Sequence, residues 1–85
     1  MKHMSHPDIA KRLKRAEGHL RSVIAMIEGE RPCLDIAQQM HAVEAAISKA
    51  KKELIHDHIE HCLDDDAPAG NRETLAELKQ LAKYL

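Results

Sequence analysis

The sequence predicts an all-α protein: a three-helix protomer with a long central helix, forming an antiparallel helical dimer. Three observations carry the helical reading and the pairing. Apolar residues recur at alternating spacings of three and four along two long stretches, the period of a helix with one buried stripe. Gly29 and Pro32 separate the first stretch from the second, and Pro68 and Gly70 separate the second from the C-terminal residues; these residues break helices. Finally, 85 residues with one Tyr and no Phe or Trp lack the bulkiest core fillers, yet 44% of the chain is hydrophobic. A chain this short often needs a metal or a partner to complete its core, so the stripe is expected to hide against copies of itself.

The first helix begins near Pro7, which suits a first helical turn. Its stripe is Ile9, Leu13, Ala16, Leu20, Val23 and Ile27, and Gly29 and Pro32 end it. The second helix starts near Cys33, and no Gly or Pro interrupts it before Asp66. Its stripe is Cys33, Ile36, Met40, Val43, Ile47, Ala50 and Leu54. The segment from Asp64 to Gly70 is a linker. A short third helix is expected from Asn71, a good N-cap, to the C-terminus, with Leu75, Leu78, Leu81 and Leu85 as its apolar face. Residues 1–85 read as one domain.

Formal net charge is −1, but the distribution is uneven. Lys2, Lys11, Arg12, Lys14, Arg15 and Arg21 crowd residues 1–22, and Lys49, Lys51 and Lys52 form a second basic cluster. Acid collects at Asp64, Asp65 and Asp66. Any one such cluster reads equally well as a solvated helix face. No signal-peptide core and no membrane-length apolar run is present, so the expected location is the cytoplasm. There Cys33 and Cys62 are expected as thiols rather than a disulfide.

Two Cys and seven His in so short a chain point to metal chemistry. His58 and Cys62 are four apart on the second helix, hence one turn apart on one face. An imidazole and a thiolate so placed can chelate one soft or borderline ion. Cys33 sits at the other end of the same helix. At a rise of about 1.5 Å per residue it lies about 43 Å from Cys62. One chain cannot close that gap; two antiparallel copies can. A register that sets Ile47 opposite its own copy also sets Met40 opposite Leu54 and Val43 opposite Ala50. It sets Ile36 opposite His58 and Cys33 opposite His61. The register that interlocks the apolar stripe therefore brings Cys33 beside His58 and Cys62 of the partner subunit. The expectation is a two-fold dimer with two equivalent intersubunit sites.

Two thiolates and one imidazole suit Cu(I); with a fourth ligand they suit Ni(II), Co(II) or Zn(II). His3 and His6 are candidates for that fourth ligand. His61 points about 100° away from Cys62 around the helix and is expected beside the site or at the surface; His41 and His56 are expected to face solvent. Asp57 and Glu60 are placed to orient an imidazole. No nucleophile-and-base pair, Gly-rich phosphate loop or carboxylate cleft is present, so an enzyme is not expected.

The run RLKRAEGHLRSVIAMIEGERPCLDIAQQMHAVEAAI from Arg12 to Ile47, with DHIEHC from Asp57 to Cys62, resembles the copper-sensitive operon repressor family, with its nickel/cobalt-sensing and formaldehyde-sensing relatives (CsoR/RcnR/FrmR). The resemblance spans nearly the whole chain. It implies a three-helix protomer in a homotetramer whose apo form binds double-stranded operator DNA and represses efflux genes until metal releases it. It implies Cys33, His58 and Cys62 as ligands, with Cu(I) first and Ni(II) or Co(II) close behind. It places Glu77 where copper sensors couple metal to DNA. It places Arg12, Lys14, Arg15, Lys49, Lys51 and Lys52 on the DNA-facing surface. Two positions depart from the pattern: Pro32 stands where copper sensors often carry Tyr, and His19 where Gln is usual. The first weakens the copper-type coupling, and the N-terminal histidines pull toward nickel and cobalt. Cys62 argues against the formaldehyde branch. Competing readings are a persulfide- or redox-sensing repressor using Cys33 and Cys62, and a metal-storage protein that does not bind DNA.

Overall fold

A computed structural model describes the backbone of residues 6–64 and 72–85 and the side chains of residues 6–61 and 72–85. Its three helices are α1 (His6–Glu28), α2 (Cys33–Asp64) and α3 (Arg72–Ala82). Pro7 falls in the first turn of α1 and Asp8 is next to it, an acid where the helix dipole favours one. The expected Asn71 cap lies outside the described residues. The expectation that the third helix reaches the C-terminus is corrected: α3 stops at Ala82. Lys83, Tyr84 and Leu85 then donate to the carbonyls of Gln80, Leu81 and Ala82, a tightened three-residue spacing that winds the chain out of the helix.

The end of α1 differs from the simple reading of Gly29 as the stop. Arg31 N–H donates to Met26 O at 3.0 Å and Glu30 N–H to Ile27 O at 3.1 Å, the paired bonds of a Schellman cap. The left-handed residue that this cap demands is Glu30, with φ 55°, not the glycine before it. The turn reverses the chain, Pro32 O accepts the Ile36 N–H at 3.1 Å, and α2 runs back along α1.

α2 is continuous over 32 residues. It packs on α1, while α3 packs on α2 and not on α1. The protomer measures 55 × 23 × 13 Å. Its smallest dimension barely exceeds the roughly 10–12 Å diameter of one helix with side chains, so the helices form a single layer. The radius of gyration is 17.4 Å, against about 12 Å for a compact chain of this length. Among the described residues, no helix is long and apolar enough to cross a membrane.

A single layer buries little. Among the described residues the core comprises Ile9, Ala16, Val23, Val43, Ala50 and Ile55, with no side chain larger than Ile. This divides the predicted stripes. On α1, every second stripe residue (Ile9, Ala16, Val23) turns inward to α2, while Leu13, Leu20 and Ile27 stay exposed. On α2, Val43 and Ala50 turn inward, while Met40, Ile47 and Leu54 remain 51%, 45% and 41% exposed. The expected intersubunit pairing of Val43 with Ala50 is thereby corrected. Both are committed to α1, because a heptad stripe is wide enough to offer one row to each of two neighbours. The exposed rows flank a groove of about 470 Å³ whose lining includes Leu20, Met40, Val43 and Ile47.

Candidate metal centre and nucleic-acid interface

The ends of α2 carry the metal-type residues. Cys33 begins the helix as an exposed free thiol, and His58 lies half-buried near the other end. No kink brings them together, so their separation within one protomer is set by helix length, about 38 Å at the usual rise. Cys62 belongs to α2 by its backbone, but its side chain and all of His3 lie outside the described residues. Among the described residues, no group of three or more His, Cys, Asp or Glu is arranged to hold a metal within one protomer.

His58 is held from α3. Its Nε2 lies 2.7 Å from Glu77 Oε1, a close contact outside hydrogen-bond geometry, so the carboxylate of the third helix reaches this edge of the ring. An imidazole with one nitrogen turned to a carboxylate is the usual arrangement of metal-ligating histidines, whose other nitrogen binds the ion. The contact also ties α3 to α2. Glu77 is 56% exposed on its side chain, so solvent screens the pair and its contribution is about 1 kcal/mol or less.

Asp57 serves a different imidazole. His61 Nδ1 donates to Asp57 O at 2.9 Å and lies 3.4 Å from Asp57 Oδ1, an i,i+4 contact on the same helix. Asp57 Oδ2 is also 3.9 Å from His6 Nε2, linking the start of α1 to the end of α2. Of the two candidate orienting acids, Asp57 therefore faces His61 and His6, and Glu60 is exposed. His41 and His56 are exposed, as expected. The His6–Asp57 contact carries no sequence signal, because it depends on how the two helices are set side by side.

The basic residues separate into two groups. Arg12, Arg15 and Lys49 line one pocket of about 240 Å³ together with His19, Ala16 and Ala46. A second pocket, lined by Asp8, Lys11, Arg12 and Arg15, shares two of these residues, so the two form one furrow beside the α1–α2 seam. Lys14, Lys51 and Lys52 are exposed but line neither pocket. Lys51 stands about 200° around α2 from Lys49, while Lys52, three residues on, returns to about 60° from it. Arg12 is braced by Glu53 at 3.1 Å. His19 Nε2 meets Gln39 Oε1 at 2.7 Å, a bridge between α1 and α2. Neither Glu53 nor Gln39 stands out in the sequence, since each acts across the hairpin.

Residues 5–84 match the metal-sensitive transcriptional repressor family. The copper-sensing transcriptional repressor CsoR of Bacillus subtilis is 40% identical over 76 residues, which is 88% of this chain and 75% of that protein. The copper-sensing repressor CsoR of Mycobacterium ulcerans is 39% identical over 51 residues, 60% of this chain and 44% of that protein. Among solved structures, the nickel-responsive transcriptional regulator InrS superimposes with a TM-score of 0.83 at 33% identity, covering 100% of this chain and 98% of that one.

Proposed function

The chain belongs to the metal-sensitive transcriptional repressor family, a family of regulators and not of enzymes, and from that premise we propose that its metal-free form represses transcription on operator DNA and that metal bound between two subunits releases it. The ligands in this reading are Cys33 of one subunit with His58 and Cys62 of the partner subunit. Cu(I) is the first choice of ion and Ni(II) or Co(II) the second. The protein works as a homodimer, paired again into a tetramer, in the cytoplasm, with residues 1–85 acting as one domain.

The observation that carries the reading is the exposed row Met40, Ile47 and Leu54 on an unbroken α2. Set antiparallel to its own copy about Ile47, that row covers itself, Met40 against Leu54. Cys33 then falls beside His58 and Cys62 of the partner subunit. The donor set is soft and the Glu77 carboxylate stands 2.7 Å from the His58 ring, which fits a thiolate-rich ion site. His3 and His6 stand as fourth-ligand candidates. The contact of His6 with Asp57 keeps the start of α1 near this end of α2, which favours His6 of the two.

Arg12, Lys14, Arg15, Lys49, Lys51 and Lys52 form the DNA-facing set in this reading. Their cations displace counterions from the phosphates, so affinity falls steeply with salt. Because metal on His58 acts on a ring that also holds Glu77, ligation shifts α3 against α2 and alters the face offered to DNA. Such coupling is typically about 1–3 kcal/mol and works in both directions.

A gel-shift titration on the region upstream of the chain's own gene, with Cu(I) or Ni(II) added, tests this. The expected result is binding without metal, release with metal, and a Cys33→Ala variant that binds but is not released. Release of Cys33→Ala at normal metal levels would refute the ligand assignment. His58→Ala separates the persulfide reading, which needs only the two thiols and would survive that change.

A further inference from the structure

We propose that the furrow beside the α1–α2 seam is a built site for a DNA backbone phosphate, and that His19 is its proton-dependent ligand. The inference rests on the operator-binding reading above and deepens it. It adds His19, held by Gln39, to the residues that touch DNA, and makes the contact depend on protonation.

Arg12, Arg15 and His19 succeed one another at three and four residues, so they stand on one face of α1 in successive turns. Lys49 closes the furrow from α2. The floor is made by Ala16 and Ala46, whose single methyls leave room between the two helices for an oxyanion. Two of the ligating groups are held before any ligand arrives: Arg12 by Glu53 at 3.1 Å and His19 by Gln39 at 2.7 Å. Such bracing lowers the ordering cost of binding. Arg12, Arg15, His19 and Lys49 converge on one volume, which Lys14, Lys51 and Lys52 do not line.

The His19–Gln39 contact sets the chemistry of the imidazole. Nε2 points at the Gln39 side-chain carbonyl and donates its proton there. In the neutral ring Nδ1 then carries a lone pair, which gives an oxyanion nothing to bond. In the protonated ring Nδ1 carries a proton and donates. A phosphate in the furrow therefore favours the cationic ring, and binding takes up a proton there. Facing His19 are Arg12 and Arg15 from α1 and Gln39, Ala46 and Lys49 from α2. Asp35 lies one turn before Gln39 on α2, while Glu53 reaches the furrow only through Arg12 and Asp8 stands at its far end. No residue of α3 packs on α1.

The test measures affinity of the metal-free protein for two duplexes, one from upstream of its own gene and one of scrambled sequence, at about pH 8 and about pH 6. Lowering the pH changes charge elsewhere on the protein too, so the informative quantity is the difference between variants. The wild-type protein is expected to tighten about tenfold more than His19→Gln on both duplexes, since a phosphate contact carries no sequence information. His19→Lys, with a permanent charge, is expected to bind tightly at both pH values and to lose the same excess. A ring that merely props the hairpin would not produce opposite effects from Gln and Lys. His56→Gln, exposed and outside the furrow, is expected to keep the excess pH response. Equal pH responses in wild type and His19→Gln would overturn the phosphate role of His19 while leaving repression intact. A wild-type protein that binds neither duplex at any pH would overturn the operator reading, and this proposal with it.

Discussion

Replacing Ile47 with Glu strikes the centre of the proposed antiparallel pairing, where each chain meets its own copy. Full burial of an Ile is worth about 1.5–3 kcal/mol, and Ile47 is still 45% exposed in the protomer. Covering the remainder therefore contributes about 1 kcal/mol per copy, or about 2 kcal/mol for the pair. Two Glu side chains at the same point face each other in an apolar seam. Their lost solvation and mutual repulsion add about 2 kcal/mol or more. The total of about 4 kcal/mol predicts dimerisation weakened roughly a thousandfold, and Ile47→Ala, losing only the burial, roughly thirtyfold. Sedimentation equilibrium over a wide concentration range reads both. The variants should melt lower, and at concentrations where they are already dissociated their melting temperature should lose its dependence on concentration, because dissociation and unfolding are linked. If Ile47→Glu associates as strongly as the parent, Ile47 does not sit at the centre of the pairing.

Glu77→Gln removes the carboxylate behind His58; metal affinity should fall about 10–100-fold, and the ratio of DNA affinities with and without metal should collapse toward one. Gel shifts at saturating metal check this, and an unchanged ratio would remove Glu77 from the coupling path. Glu30→Gly relieves a left-handed residue that costs an L-amino acid about 1–2 kcal/mol, less the greater freedom of Gly in the unfolded chain. Urea midpoints should rise by the equivalent of about 1 kcal/mol, and a fall would show that the Glu30 side chain contributes something its backbone conceals.

The helices, their order and the stretch without breakers from Cys33 onward were legible because each is a local property of spacing or of Gly and Pro. The stripe residues were legible too, but not their division. Val43 and Met40 are both apolar and three apart, and only the position of α1 decides that one is covered and the other left out. The same limit applies to the candidate sites. The Asp57–His61 contact is an i,i+4 neighbour visible in the spacing. His58 with Glu77, His6 with Asp57, Arg12 with Glu53 and His19 with Gln39 each cross between helices, so no periodicity announces them. Grouping the basic residues by sequence put Lys49, Lys51 and Lys52 together, whereas helical rotation sends Lys51 to the far side of α2 and leaves Lys52 about 60° from Lys49.

The length of α2 has a bearing on how such a sensor would perform in a cell. A chain whose thiol and imidazole stand at opposite tips of a rigid rod offers an ion only half a cage, so a solitary copy is nearly blind to its inducer. Sensitivity would then be a collective property, set by how many copies are made as well as by intrinsic affinity. Titrations at low protein concentration should report weaker uptake than titrations at high concentration. A promoter that controls its own regulator would in this way adjust the threshold at which it responds.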